Sequence, residues 1–186
     1  MKAHLPENEA ERLATLRAYQ ILDTPPDAEL NIITTLASRI CSTPMAVVSL
    51  VDEHRQWFKS KVGLTMTETD RNVAFCSHAI LQRDVMEIGD AKADQRFADN
   101  PLVTEAPFIR FYAGAPLLAE NGCALGTVCV LDYSPRTLTS EQRASLSMLG
   151  ELAMGILNFR KKLQEISKVA SEREWLINEL QQALVN

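Results

Sequence analysis

The chain has 186 residues, of which 46% are apolar and 6% aromatic, and 19 basic against 24 acidic side chains leave a formal charge of −5. That length holds one compact domain plus an extension, and the apolar share suits an ordinary globular core. The acidic balance argues against nucleic acid, whose binding rests on clustered Lys and Arg. No run approaches the ~18–20 consecutive apolar residues of a membrane span. The start, Met1-Lys2-Ala3-His4-Leu5-Pro6, lacks the apolar stretch of a secretory signal. The expected setting is the cytoplasm, with neither membrane nor nucleic acid as partner. Cys41, Cys76, Cys123 and Cys129 form no C-x-x-C, so reduced thiols in apolar surroundings are expected rather than a disulfide framework or a structural metal.

In chain order, Asn8-Glu9-Ala10-Glu11 has the spacing of a helix-opening capping box. Leu13, Ala14 and Leu16 give a short amphipathic helix that ends before Thr24-Pro25-Pro26. Asp27 can cap a second helix, in which Leu30, Ile33, Ala37 and Ile40 recur at helical spacing. Met45 to Val51 is an almost continuous β-branched apolar run, which predicts a central strand covered on both faces. A polar turn over residues 52–55 leads to a returning strand from Gln56 to Val62. Residues 64–110 are less regular. Asn72 can cap a short helix through Ala79, Ile80 and Leu81, and Val85 to Ile88 can be a short strand. A connection this long inside a compact domain suggests a functional lid.

Phe111 to Leu118 and Cys123 to Leu131 flank Glu120-Asn121-Gly122, and Asn-Gly predicts a type I′ hairpin. Gly114 and Gly126 within these strands permit close packing of a helix or ligand. Pro116 requires an exposed edge or a bulge. Thr139-Ser140-Glu141-Gln142 is a second capping box, and the longest pattern in the chain follows it. Leu149, Leu152, Ile156, Phe159, Leu163, Ile166, Ala170, Arg173, Ile177, Leu180 and Leu184 alternate steps of three and four. That heptad seam needs a partner, most simply a second copy of the chain. A helix folded back on its own domain is the alternative. Val169 and Leu176 widen the seam, which leaves a larger bundle open.

Phe75-Cys76-Ser77-His78 is the thiol and imidazole pair close in sequence. On a helix over 73–81 the two side chains point about 200° apart, so His78 cannot act as base for Cys76. A buried or pocket-lining role, ligand attachment or redox sensing, and catalysis all remain open for Cys76. His4 and His54 read as solvated, and Asp90, Asp94 and Asp99 lack the spacing of a calcium loop. Trp57, Phe58, Phe108, Phe111 and Tyr112 can face the 64–110 segment across a cavity, with Arg110 to hold an anionic ligand, or can simply be core.

Taken together, Ile21-Leu22-Asp23-Thr24-Pro25-Pro26, Val48-Ser49-Leu50-Val51-Asp52, Gln56-Trp57-Phe58-Lys59-Ser60, Phe75-Cys76-Ser77-His78-Ala79-Ile80, Asp94-Gln95-Arg96-Phe97, Ile109-Arg110-Phe111-Tyr112-Ala113-Gly114 and Gly126-Thr127-Val128-Cys129 resemble a bacterial GAF domain of the kind found with histidine kinases and diguanylate cyclases. The resemblance implies an α+β fold: an antiparallel sheet of about six strands, the terminal helices on one face and a pocket under a lid on the other. It divides the chain into a sensor domain over 1–160 and a coiled-coil signalling helix over 161–186. It further implies a non-enzymatic homodimer that senses a small molecule or protein and signals to a histidine kinase or diguanylate cyclase module in cis or in trans.

Trp57, Phe75, Cys76, His78, Asp90, Phe108, Arg110 and Tyr112 are the candidate pocket residues, and the seam from Leu149 to Leu180 is the candidate dimer interface. Phe97-Ala98-Asp99-Asn100 departs from the cyclic-nucleotide signature of the family, and Cys76 and His78 depart from the spacing of its bilin-binding members. Neither cofactor is expected. Two alternatives stay open: a free methionine-R-sulfoxide reductase that uses Cys76, although residues 100–112 hold no second cysteine, and a ligand-free dimerisation module.

Overall fold

The structure, a computed structural model, describes residues 2–185. The chain runs α1 (Glu9–Ala18), α2 (Ala28–Cys41), β1 (Met45–Val51), β2 (Arg55–Val62), β3 (Glu68–Asp70), a 3₁₀ turn (Arg71–Val73), α3 (Cys76–Ala79), β4 (Met86–Ile88), α4 (Pro101–Thr104), β5 (Phe111–Leu118), β6 (Ala124–Asp132) and α5 (Ser140–Val185). The six strands form one sheet in the order β3-β2-β1-β6-β5-β4, every neighbour pair antiparallel.

β1 is buried at every position because both faces of the sheet are covered. Alternation along the strands sorts the side chains into two cores. Ala46, Val48 and Leu50 of β1 and Phe111, Ala113 and Leu117 of β5 meet Leu16 of α1, Leu30, Ile33 and Ala37 of α2, and Leu146, Ala153 and Leu157 of α5. On the opposite face Met45, Val47 and Val51, with Tyr112 and Cys129, lie under Phe75, Ile80, Phe97, Val103 and Ile109 of the intervening segment. The expected placement of terminal helices on one face and a cover on the other is what the structure has.

Local chemistry differs from expectation at several ends. Asp27 caps α2 through the Leu30 amide at 3.0 Å. The Thr139 and Gln142 side chains exchange hydrogen bonds with one another's backbone amides, as a capping box should. Asn8 makes no side-chain cap; its amide donates to Cys123 Sγ, and Glu9 turns to arginines instead. The short helix begins at Cys76 rather than near Asn72, and Asp70 caps the preceding 3₁₀ turn. β3 and α4 are too short to carry a periodic signal of their own.

The β5–β6 hairpin is a three-residue loop, not a type I′ turn. The Gly122 amide donates to Ala119 O and Gly122 alone in that loop has positive φ, +82°, the pattern of a type I turn followed by a bulge. Pro116 lies beside a register shift in an interior strand, which is the bulge it requires.

The 46 residues of α5 span ~69 Å at ~1.5 Å per residue. Leu146, Leu149, Ala153, Met154 and Leu157 are buried on the domain's own sheet, and Ile156 packs against them. Leu149 and Ile156 thus belong to the domain core, because the first half of α5 must cover the sheet before any seam can be free. Leu152 and Phe159 face outward, and from 162 to 183 every side chain is exposed. The side chain of Leu184 lies outside the described residues. Among the described residues no helix is long and apolar enough to cross a membrane.

Arg12, 1% exposed, ties α1 to the end of β1. It donates to Val51 O at 2.7 Å and to both carboxylate oxygens of Glu9 at 2.7 and 2.8 Å. Arg71 reaches the same carboxylate at 2.6 Å and Asp52 O at 3.0 Å. Burial alone would raise the Glu9 pKa, but hydrogen bonds from Arg12 and Arg71 outweigh it and lower the pKa from 4.5 to about 2. Removing the carboxylate strands two buried guanidinium groups. Glu9→Ala is expected to cost about 3–5 kcal/mol at pH 7 by urea unfolding. Because the folded pKa is depressed, the Glu9 contribution is complete above about pH 4.5 and fades toward pH 2, so the gap between native and variant midpoints should narrow over that window.

Candidate functional site

Four polar side chains interrupt the apolar face that carries the cover, and they converge on one sulfur. Ser49 of β1 and Thr127 and Cys129 of β6 sit on adjacent strands, and Tyr112 of β5 on the next. Cys76, the first residue of α3, lies above them. Its Sγ accepts from Thr127 Oγ1 at 3.0 Å, Ser49 Oγ at 3.2 Å and Tyr112 Oη at 3.3 Å, and lies 3.9 Å from Cys129 Sγ. Ser49 and Thr127 are also 3.2 Å apart. All five residues are buried.

Backbone detail explains the convergence. A register shift between Val48 and Ser49 in the β1–β2 ladder lies at the site, as bulges that re-aim side chains do. A Cβ on Gly114 would fall 2.1 Å from the Tyr112 hydroxyl, so the bare glycine makes room for it. A Cβ on Gly126 would fall 1.9 Å from Ser49 O, so that glycine serves the approach of β6 to β1, not of a helix or ligand.

Burial pushes the Cys76 thiol up, yet the hydrogen bonds from Cys129, Ser49, Thr127 and Tyr112 outweigh it, and the pKa lies below that of an ordinary thiol. Cys129 is driven the other way, first by its hydrogen bond to Cys76 and then by burial. Tyr112 is held neutral by burial and by the neighbouring sulfurs. The arrangement favours the anion at Cys76 over one at Cys129.

The cover is aromatic. Phe75 stacks on Phe97 with centroids 4.3 Å apart and on Tyr112 at 5.2 Å, and His78 meets the Phe97 ring edge-on at 4.8 Å. Between cover and sheet remains a cavity of about 20 Å³, lined among others by Gln56, Thr69, Phe75, Cys76, Tyr112 and Cys129. That is room for about one water molecule. The Thr69 hydroxyl is buried there without a hydrogen-bond partner.

The candidate pocket residues therefore separate. Phe75, Cys76 and Tyr112 come together, with His78 at the margin of the stack. Trp57 packs on the opposite face with the helices, because neighbouring strand residues must point apart and Phe58 takes the covered side. Asp90 and Arg110 pair at 2.7 and 2.8 Å outside the cavity, which occupies the guanidinium expected to hold an anion. Phe108, at φ +59°, is 55% exposed and does not line the cavity. Ser49 and Thr127 are not among the residues that the sequence singles out, and Cys129 enters there only as one of four thiols. The signal for Ser49 and Thr127 is a single hydroxyl in each of two largely apolar strands. Cys76 and Cys129 are free and buried within the apolar layer, as expected of the thiols, but hydroxyl groups also reach the Cys76 sulfur there.

Thr127→Val keeps the shape and removes the nearest donor. The Cys76 pKa should rise, read as an upward shift in the pH midpoint of thiolate ultraviolet absorbance, with a stability cost of ~1 kcal/mol.

Residues 25–157 match the GAF domain family. Over 141 residues the chain is 40% identical to a cyclic di-GMP phosphodiesterase of Pseudomonas aeruginosa, spanning 76% of this chain but 24% of that protein. In structure it is similar to the GAF domain of an Acinetobacter phosphoenolpyruvate-protein phosphotransferase, with TM-score 0.60 and 15% identity, covering 83% of this chain and 98% of that one. It is also similar to type II free methionine-R-sulfoxide reductase from Thermoplasma acidophilum, with TM-score 0.58 and 14% identity, covering 70% and 90%. The family match extends over most of the chain and includes the sheet and elements of both covering layers: this chain belongs to the GAF domain family.

Proposed function

We propose that the chain is a non-enzymatic sensory module of a signalling protein, a homodimer joined along α5 that relays events at the covered face of the sheet to an output module. The observation that carries this reading is the apolar stripe of α5 beyond the domain body: Leu163, Ile166, Val169, Ile177 and Leu180 are 44–65% exposed at heptad or adjoining positions. A helix in water gains nothing from such a stripe until another helix covers it.

The packing supports one coupling route. β1, β5 and β6 carry the Cys76 cluster on one face and seat the helices on the other. A shift of the 64–110 cover, driven by a small molecule or a protein partner, strains strands whose reverse side holds the root of α5. That root is clamped before it leaves the body. Tyr19 donates to Asn158 Oδ1 at 2.6 Å, and Arg160 pairs with Asp27 and, at 2.7 Å, with Glu29. The Pseudomonas relative favours an output that controls cyclic di-GMP, a phosphodiesterase or diguanylate cyclase, over a histidine kinase.

Deleting residues 161–186 should convert a dimer to a monomer in light scattering, and Leu163→Glu with Ile166→Glu should do the same in the full chain. An unchanged dimer would overturn the role given to the seam. A reductase reading has one observation in its favour, the anion-stabilising surroundings of Cys76. Thiol-dependent turnover of free methionine sulfoxide, lost in Cys76→Ser, would replace the sensory reading; no turnover is the expected result.

A further inference from the structure

We propose that Cys76 and Cys129 are a modification site: a dithiol that hydrogen peroxide converts reversibly to an intramolecular disulfide. The two sulfurs are already 3.9 Å apart, and bonding requires them to close by about 1.9 Å to the ~2.05 Å of a disulfide. Three hydroxyls, from Ser49, Thr127 and Tyr112, surround Cys76 Sγ at 3.0–3.3 Å and stabilise it as the anion that attacks. Cys41 and Cys123 lack the hydroxyl cluster, and Cys123 Sγ accepts only from the Asn8 amide at 3.3 Å. Cys41 is packed among apolar side chains of the helix layer, and burial pushes its thiol up to about 11.

The steps balance. Cys76 thiolate attacks one peroxide oxygen; an S–O bond forms, the O–O bond breaks, and hydroxide leaves to take up the proton that Cys76 released. Cys129 sulfur then attacks the Cys76 sulfenic sulfur; an S–S bond forms, the S–O bond breaks, and the departing hydroxide leaves with the Cys129 proton as water. Two thiols give up two electrons, and one peroxide becomes two waters. Dithiol reductants reverse the reaction.

Access sets the selectivity. The sulfurs form part of the wall of the cavity of about 20 Å³, under Phe75 and beside Gln56 and the unpartnered Thr69 hydroxyl. A neutral oxidant little larger than water can occupy it once the cover breathes, and bulky peroxides or oxidised glutathione cannot. The Thr69 hydroxyl and the Gln56 amide are the polar lining such a molecule would meet.

The test uses the full chain, reduced and then exposed to hydrogen peroxide, cumene hydroperoxide or oxidised glutathione, followed by alkylation in denaturant. With hydrogen peroxide the expected result is a mass loss of about 2 Da, two of the four thiols protected, and a peptide linking Cys76 to Cys129, all reversed by dithiothreitol. The two bulky oxidants should leave all four thiols alkylated over the same time. Cys129→Ser should instead accumulate a dimedone-reactive sulfenic acid at Cys76. Four intact thiols after peroxide, earlier loss of Cys41 or Cys123, equal reaction with cumene hydroperoxide, or dimedone capture anywhere but Cys76 would each overturn the assignment. The peptide map of the unsubstituted protein decides the matter even if the variant does not fold. The outcome is independent of the oligomeric state assigned to α5.

Discussion

Burial of one antiparallel sheet between two unlike layers is the constraint from which the rest of the molecule follows. On one side, long helices present Leu, Ile and Ala to the strands over an extended surface, and apolar area at ~25 cal/mol per Å² makes that layer the stable one. On the other, short turns and three- or four-residue elements carry fewer and more aromatic anchors. The strands are shared. Any rearrangement on the lightly built side is felt by residues whose neighbours along the same strand hold the helices.

The buried polar groups fall where that design needs specificity. Arg12, Glu9 and Arg71 lock α1 to the edge of the covered face, and an ion network of this kind fixes position more than it adds stability. Ser49, Thr127 and Tyr112 would be costly in an apolar layer without partners, and each donates its hydroxyl proton to Cys76. A cluster fully satisfied around a sulfur is a different object from a merely tolerated buried cysteine. It lowers the pKa of that sulfur while keeping it from bulk water.

The two halves of α5 obey different rules although the helix is unbroken. Up to about residue 160 it carries two apolar faces, one seated on the sheet and one turned outward through Leu152 and Phe159. Beyond that point only the outward stripe continues. The helix is held through Asn158 and Arg160 at its root and exposes its side chains along its far half.

Patterns of period two and 3.6 make most elements legible in the order of residues alone. The apolar run of β1, the capped starts of α2 and α5, and the heptad stripe each depend on neighbours within a few residues. Local order along the chain therefore dictates the longer strands and helices, the family they compose, and the apolar stripe of α5 that calls for a covering surface, while β3 and α4 are too short to be read from it. Which side of each strand faces which layer is settled only when the layers pack. A single step of parity sends Trp57 to the helices and Phe58 to the cover. Packing also gives Arg110 to Asp90, and it brings Cys129, 53 residues from Cys76 along the chain, to complete a sulfur site. These are distances across strands, and no local spacing encodes them.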